Sequence, residues 1–178
     1  MISRCAIVVV VLLSPVMPLA TQTTAGAARP VVAVLNLRFE GRYANVLEPG
    51  DTAIVQSATS TLLATLLASD RITLVDSARV ADAVAAEAGW SVCSNACAIV
   101  VAKQLGAQWV VKGTVTKTSN IVWVLAADLF DAATGRPVLT DGFELKGDAR
   151  AMAPRGARSF AQRVERAVAE HATAVGAP

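Results

Sequence analysis

Residues 93–115, Cys93-Ser-Asn-Ala-Cys-Ala-Ile-Val-Val-Ala-Lys-Gln-Leu-Gly-Ala-Gln-Trp-Val-Val-Lys-Gly-Thr-Val115, decide the fold. A cysteine pair opens the stretch, and Ser94 or Asn95 is placed to cap a helix whose apolar face is Ala98, Ile99, Ala102 and Leu105. Gly106 stops that helix, and Gln108 to Lys117 reads as a strand entering a buried sheet. A short helix feeding such a strand through a Leu-Gly-Ala turn is the grammar of an α/β domain.

Upstream the same grammar repeats. Val31 to Leu37 is a continuous apolar run opened by Pro30, as expected of a strand covered on both faces. A turn-like segment, Arg38 to Gly50, leads to a helix that Asp51 or Thr52 can cap, with Val55, Ala58, Leu62 and Leu66 facing inward. Its other face carries Thr52, Gln56, Thr59, Ser60 and Thr65, with no charge between Asp51 and Asp70. A solvated helix normally shows Lys and Glu there, so this face is a candidate partner surface. Ile72 to Val75 reads as a second strand. Asp76 or Ser77 then caps a helix running to Ala88, with Val80 and Val84 inward and Gly89 at its end.

Downstream the pattern turns antiparallel. Gln108 to Lys117, Ile121 to Asp131 and Val138 to Lys146 are separated by short turns and form a meander, with Gly135 closing the second turn. Both alternating sets of Ile121 to Leu129 are apolar, which predicts a central strand; Phe143 and Leu145 alternate with Glu144 and Lys146, which predicts an edge. A last helix, Ala157 to Thr173, buries Phe160, Val164 and Val168. The expected order is β-α-β-α-α-β-β-β-α: a three-layer α/β fold with a mixed sheet and helices on both faces.

Residues 1–27 read as a signal peptide. Arg4 gives the positive start, Cys5 to Leu13 the apolar run, Pro15 and Pro18 the break, and Ala25-Gly26-Ala27 a cleavage site. Cleavage there leaves residues 28–178 as a single α/β domain, without a membrane span, in the periplasm. Two cysteines remain, Cys93 and Cys97, and export to an oxidising compartment predicts a disulfide between them. Zinc fails on ligand count, because His171 is the only histidine. The formal charge of +2 and aromatic content of 4% exclude a nucleic-acid partner.

Arg71-Ile-Thr-Leu-Val-Asp76, a capped helix, and Leu105-Gly-Ala-Gln-Trp-Val-Val-Lys-Gly-Thr-Val115 together resemble the TolB amino-terminal domain, the curli-secretion lipoprotein CsgG and the penicillin-binding-protein activator LpoB. The carboxyl half is similar to a family of uncharacterised secreted bacterial proteins, a domain of unknown function. That likeness lies in the cysteine pair, Val115 to Ile121, Asp131 to Val138 and Phe143 to Gly147. The resemblance spans residues 31 to 170 and implies the mixed sheet and secretion; it brings no catalytic residues.

Ligands of such sheets sit beyond the carboxyl ends of the parallel strands. Arg38, Glu40, Arg42 and Tyr43, with Asn45 nearby, cluster there and form the candidate binding site. A basic series, Arg150, Arg155, Arg158, Arg163 and Arg166, is a second candidate surface, for an acidic partner or anionic lipid. Asp128, Asp131 and Asp141 lie on separate turns and make a poor cation site, and Ser159 has only His171 as a possible base. The reading is therefore a non-enzymatic periplasmic accessory protein, without cofactor or metal, that binds another envelope or periplasmic protein. The alternative is a carrier of a small ligand or metal using the Arg38 to Tyr43 loop.

Overall fold

A computed structural model of the chain describes residues 28–40, 48–89, 91–119 and 122–175. The strands are β1 (Val31–Val34), β2 (Arg38–Glu40), β3 (Thr73–Leu74), β4 (Trp109–Lys117), β5 (Val122–Asp131) and β6 (Pro137–Lys146). The helices are α1 (Asp51–Leu67), α2 (Ser77–Ala88), α3 (Asn95–Gln104) and α4 (Ala149–Val175). The six strands form one mixed sheet in the order β3-β1-β4-β5-β6, with β2 also paired to β4. β1 runs parallel to β3 and β4, while β4, β5 and β6 form the expected antiparallel meander with β6 at the edge.

Alternation on β1 and β4 sends side chains into two cores. Val32, Val34, Trp109, Val111 and Val115 point to one face, where they pack with Leu62 and Leu66 of α1 and Phe160 and Val164 of α4. Ala33, Leu35 and Val110 point to the other, where Val80 of α2 and Ala98 and Ala102 of α3 cover them. The caps follow the sequence reading. The Asp76 carboxylate accepts the Ala78 and Arg79 amides at 3.0 and 3.1 Å, and the Ser94 hydroxyl accepts the Cys97 amide at 3.2 Å.

Three features differ from expectation. Arg38–Glu40, read as part of a turn, is a strand. β1 ends at Val34, Asn36 and Leu37 step sideways, and β2 resumes pairing along the same edge of β4, with Arg38 opposite Thr114 and Glu40 opposite Thr116. The step needs room: a Cβ on Gly113 would lie 2.6 Å from the Leu37 side chain and 2.9 Å from the Ala126 carbonyl. Leu37 thus fills the volume that a side chain at position 113 would take.

The second difference is that α4 begins at Ala149, eight residues before the expected start, with Pro154 inside it. Ala149, Ala153 and Ala157 are buried on the same face as Phe160 and Val164, and that packing outweighs the one hydrogen bond Pro154 removes. Third, α2 and α3 cover only part of their face. Val122 and Val124 of β5 are half-buried and Ala126 is exposed, so the far end of the meander is covered on one side alone. The apolar alternation there reflects strand packing rather than two-sided burial.

Candidate functional site

The end of β1 is where the sheet opens, and two depressions flank it. The first lies between α2, the disulfide loop and the strands β2 and β4; it encloses about 280 Å³. Val80 and Val84 of α2, Leu35, and Val92 and Cys93 of the loop supply apolar walls, while Arg38, Glu40 and Lys112 are its charged groups. The second is a groove of about 550 Å³ between α1 and β2, and among the described residues no charged side chain lines it. Leu37, Phe39, Val55 and Leu63 give it an apolar floor, with Thr52, Gln56 and Ser60 along its rim. β2 separates the two because its side chains alternate. Arg38 and Glu40 point to one depression and Phe39 to the other, where its ring meets Trp123 edge-on at 5.8 Å.

Of the candidate binding residues, Arg38 and Glu40 therefore line a cavity together. Arg42 and Tyr43, with Asn45, lie outside the described residues, as does the leader at 1–27. Cys93 and Cys97 are joined, with Cα atoms 5.3 Å apart, and the bridge staples the loop that forms one cavity wall to the start of α3. The Lys112 ammonium donates to the Asn95 side-chain oxygen at 2.8 Å, tying β4 to the same helix.

The hydroxyl-rich face of α1 is only partly a surface. Thr52, Gln56 and Ser60 are exposed, but Thr59 is buried. Its hydroxyl accepts the Leu37 amide at 3.2 Å and donates to the Val55 carbonyl at 3.0 Å, so it serves the backbone at the β1–β2 step. Asp51, read as a possible cap, is buried in the first turn of α1 behind the cap residue Gly50. Its carboxylate accepts the Glu48 amide at 3.0 Å and meets the Lys117 ammonium at 3.2 Å. Lys117 also reaches Glu48 at 2.6 Å and lies over the Trp123 ring at 5.5 Å. The Glu48 hydrogen bond raises the Lys117 pKa above its ordinary 10.5; burial opposes the rise and Asp51 adds to it. This charge cluster, buried at Lys117 and Asp51 and open at Glu48, was not read from the sequence. Its one signal was a lysine continuing the inward-facing set Val111, Gly113 and Val115.

The remaining candidates separate. Asp131 braces its own hairpin by accepting the Ala133 and Thr134 amides, Asp128 accepts the Thr140 hydroxyl, and Asp141 pairs with Arg163 at 2.6 Å. Among the described residues no group of three or more His, Cys, Asp or Glu side chains is placed to hold a metal. Ser159 and His171 lie twelve residues apart on α4, about 18 Å along its axis. His171 rests edge-on against Trp109 at 5.4 Å instead. In the basic series Arg163 is engaged by Asp141, while Arg150, Arg155, Arg158 and Arg166 are exposed. No helix of the described residues is long and apolar enough to cross a membrane.

The profile of the DUF3280 family, described as "Protein of unknown function (DUF2380)", matches residues 30–164. The chain belongs to this family. No curated protein matches it significantly. Among solved structures the hypothetical protein CT253 from Chlamydia trachomatis is similar, with a TM-score of 0.51 at 20% identity over 80% of this chain and 99% of that one. The LpoB C-terminal domain from Salmonella enterica gives a TM-score of 0.49 at 22% identity, over 70% of this chain and 88% of that one. TolB from Acinetobacter baumannii gives 0.43 at 15% identity, over 82% of this chain but 29% of that one. Two of the families that the sequence resembles thus recur among the matches. For this DUF3280 member the likeness to CT253 is one of fold.

Proposed function

We propose that this protein is a non-enzymatic accessory protein of the bacterial envelope, exported to the periplasm by a leader at residues 1–27. In this reading it docks another envelope protein in the groove between α1 and β2. The lining of that groove, uncharged among the described residues, carries the proposal. Interface cores are depleted of charged residues and combine apolar contact with adaptable polar groups, which is the composition found here. Among the described residues the outer edge of β2 has no ladder partner, so an extended segment of the partner can add to it while seating apolar side chains on Phe39 and Leu63.

The test is site-specific photo-crosslinking in intact cells. A crosslinker at Gln56 or Ser60, both exposed, gives one adduct of defined mass, and a crosslinker at Thr140 on β6 does not. With the crosslinker kept at Gln56, Thr52→Glu combined with Ser60→Arg removes that adduct without changing the thermal midpoint. Equal adducts from all three positions, or an adduct that survives the double substitution, refute the groove.

A further inference from the structure

The cavity on the other side of β2 has a different chemistry. Its walls are apolar: Leu35, Val80, Val84, Ala88 and Val92. Val92, 54% exposed, carries this apolar lining out to solvent. Among the described residues three charged groups stand against these walls, Arg38, Lys112 and Glu40, for a net charge of +1. Arg38 has no ion pair among the described residues, and Lys112 has only the neutral Asn95 amide. A half-buried guanidinium without a carboxylate, beside an apolar recess, is a composition that recognises an anion attached to a hydrocarbon body.

We propose that this cavity binds a small amphipathic monoanion, a medium-chain carboxylate, with its chain along α2 and its head group on Arg38. The volume sets the size: about 280 Å³ is the share of roughly nine waters at ~30 Å³ each, room for a body on the order of ten non-hydrogen atoms. The charge sets the class, because one excess cation balances one carboxylate and leaves a neutral alcohol or an amine without a counterpart. This goes beyond partner docking: the groove on α1 and the cavity under α2 lie on opposite sides of β2 and share only Asn36 and Ser77 among their lining residues.

The probe is octanoate, titrated into the purified protein and followed by amide NMR. Saturable shifts are expected at Val80, Val84 and Val92. Octan-1-ol and octylamine bind at least tenfold more weakly. Arg38→Gln weakens octanoate at least tenfold, and Ala85→Trp abolishes binding. Ala85 lines the cavity and is exposed, so the indole fills the recess without entering either core. An unchanged thermal midpoint verifies this; a lowered one transfers the comparison to Ala81→Trp, the adjacent exposed lining position. Absence of saturable shifts up to 10 mM octanoate (on the order of a fragment-sized ligand's weakest useful affinity) overturns the proposal. So do equal affinities for octanoate and octan-1-ol, or shifts confined to α1.

Discussion

At the level of single residues, Lys117 shows how a charge is kept inside this fold. Its ammonium is held by Glu48 and Asp51 beneath the Trp123 ring, joining the end of β4 to the start of α1. Asp51 also sits in the first helical turn, where a carboxylate complements the helix dipole. Removing the cation leaves Asp51 buried without its counter-charge, a more damaging change than removing both partners. The expected result for Lys117→Met is a lower thermal midpoint at neutral pH. The pH dependence has a definite sign, because folding raises this pKa above 10.5. The stabilisation is complete below the unfolded value and is lost as pH rises through the folded one. The gap between wild type and variant therefore narrows above about pH 10.5. Thermal melts at pH 7, 9 and 11 measure it, and a gap that widens with alkalinity refutes the assignment.

At the level of elements, the sequence revealed those whose signals are local and concealed those whose causes are distant. Asp76 and Ser94 announce α2 and α3 because an N-cap is a side chain serving amides two or three residues away. Gly135 marks the β5–β6 turn for an equally local reason, a φ of 71°. β2 has no comparable signal: three residues, Arg-Phe-Glu, become a strand because β4 extends past the end of β1. The early start of α4 is marked by the four-residue spacing of Ala149, Ala153 and Ala157, although Pro154 and Gly156 are residue types that disfavour a helix interior. Gly156 instead permits close approach, since a Cβ there would lie 3.2 Å from Leu125 and 3.4 Å from Leu145. The candidate site divides the same way. Chain order placed Arg38 and Glu40 at a strand end, whereas their cavity depends on α2 and on a loop more than fifty residues later.

That loop yields the element-scale prediction. The bridge closes only residues 93–97, a short ring whose loss costs about 2 kcal/mol by chain entropy. Cys93→Ala with Cys97→Ala should lower the free energy of urea unfolding by that amount with an unchanged slope, and reductant should bring wild type to the same curve. An unaffected midpoint would mean that α2–α3 packing alone holds the loop.

For the molecule as a whole, the question is whether two cores make one cooperative unit. They are built from alternate residues of the same strands: Val32 and Val34 enter the α1–α4 core, while Ala33 and Leu35 enter the α2–α3 core. Likewise Trp109 and Val111 point one way from β4 and Val110 the other. Neither core can lose its packing while β1 and β4 stay ordered for the other, so unfolding should be a single transition. Phe160→Ala, at a fully buried position in the first core, is expected to cost about 3–5 kcal/mol. Val110→Ala, in the second, costs less because fewer buried carbons are removed. The decisive measurement compares probes rather than midpoints. In both variants, built on a Trp90→Phe background so that the near-ultraviolet tryptophan signal comes from Trp109 and Trp123 of the α1–α4 core, that signal and the far-ultraviolet signal should fall together in urea. A Val110→Ala protein whose helical signal drops before its aromatic one would show that α2 and α3 unfold alone. The cavity under α2 would then belong to a separable layer, and octanoate would raise the stability of that layer without shifting the α1–α4 transition.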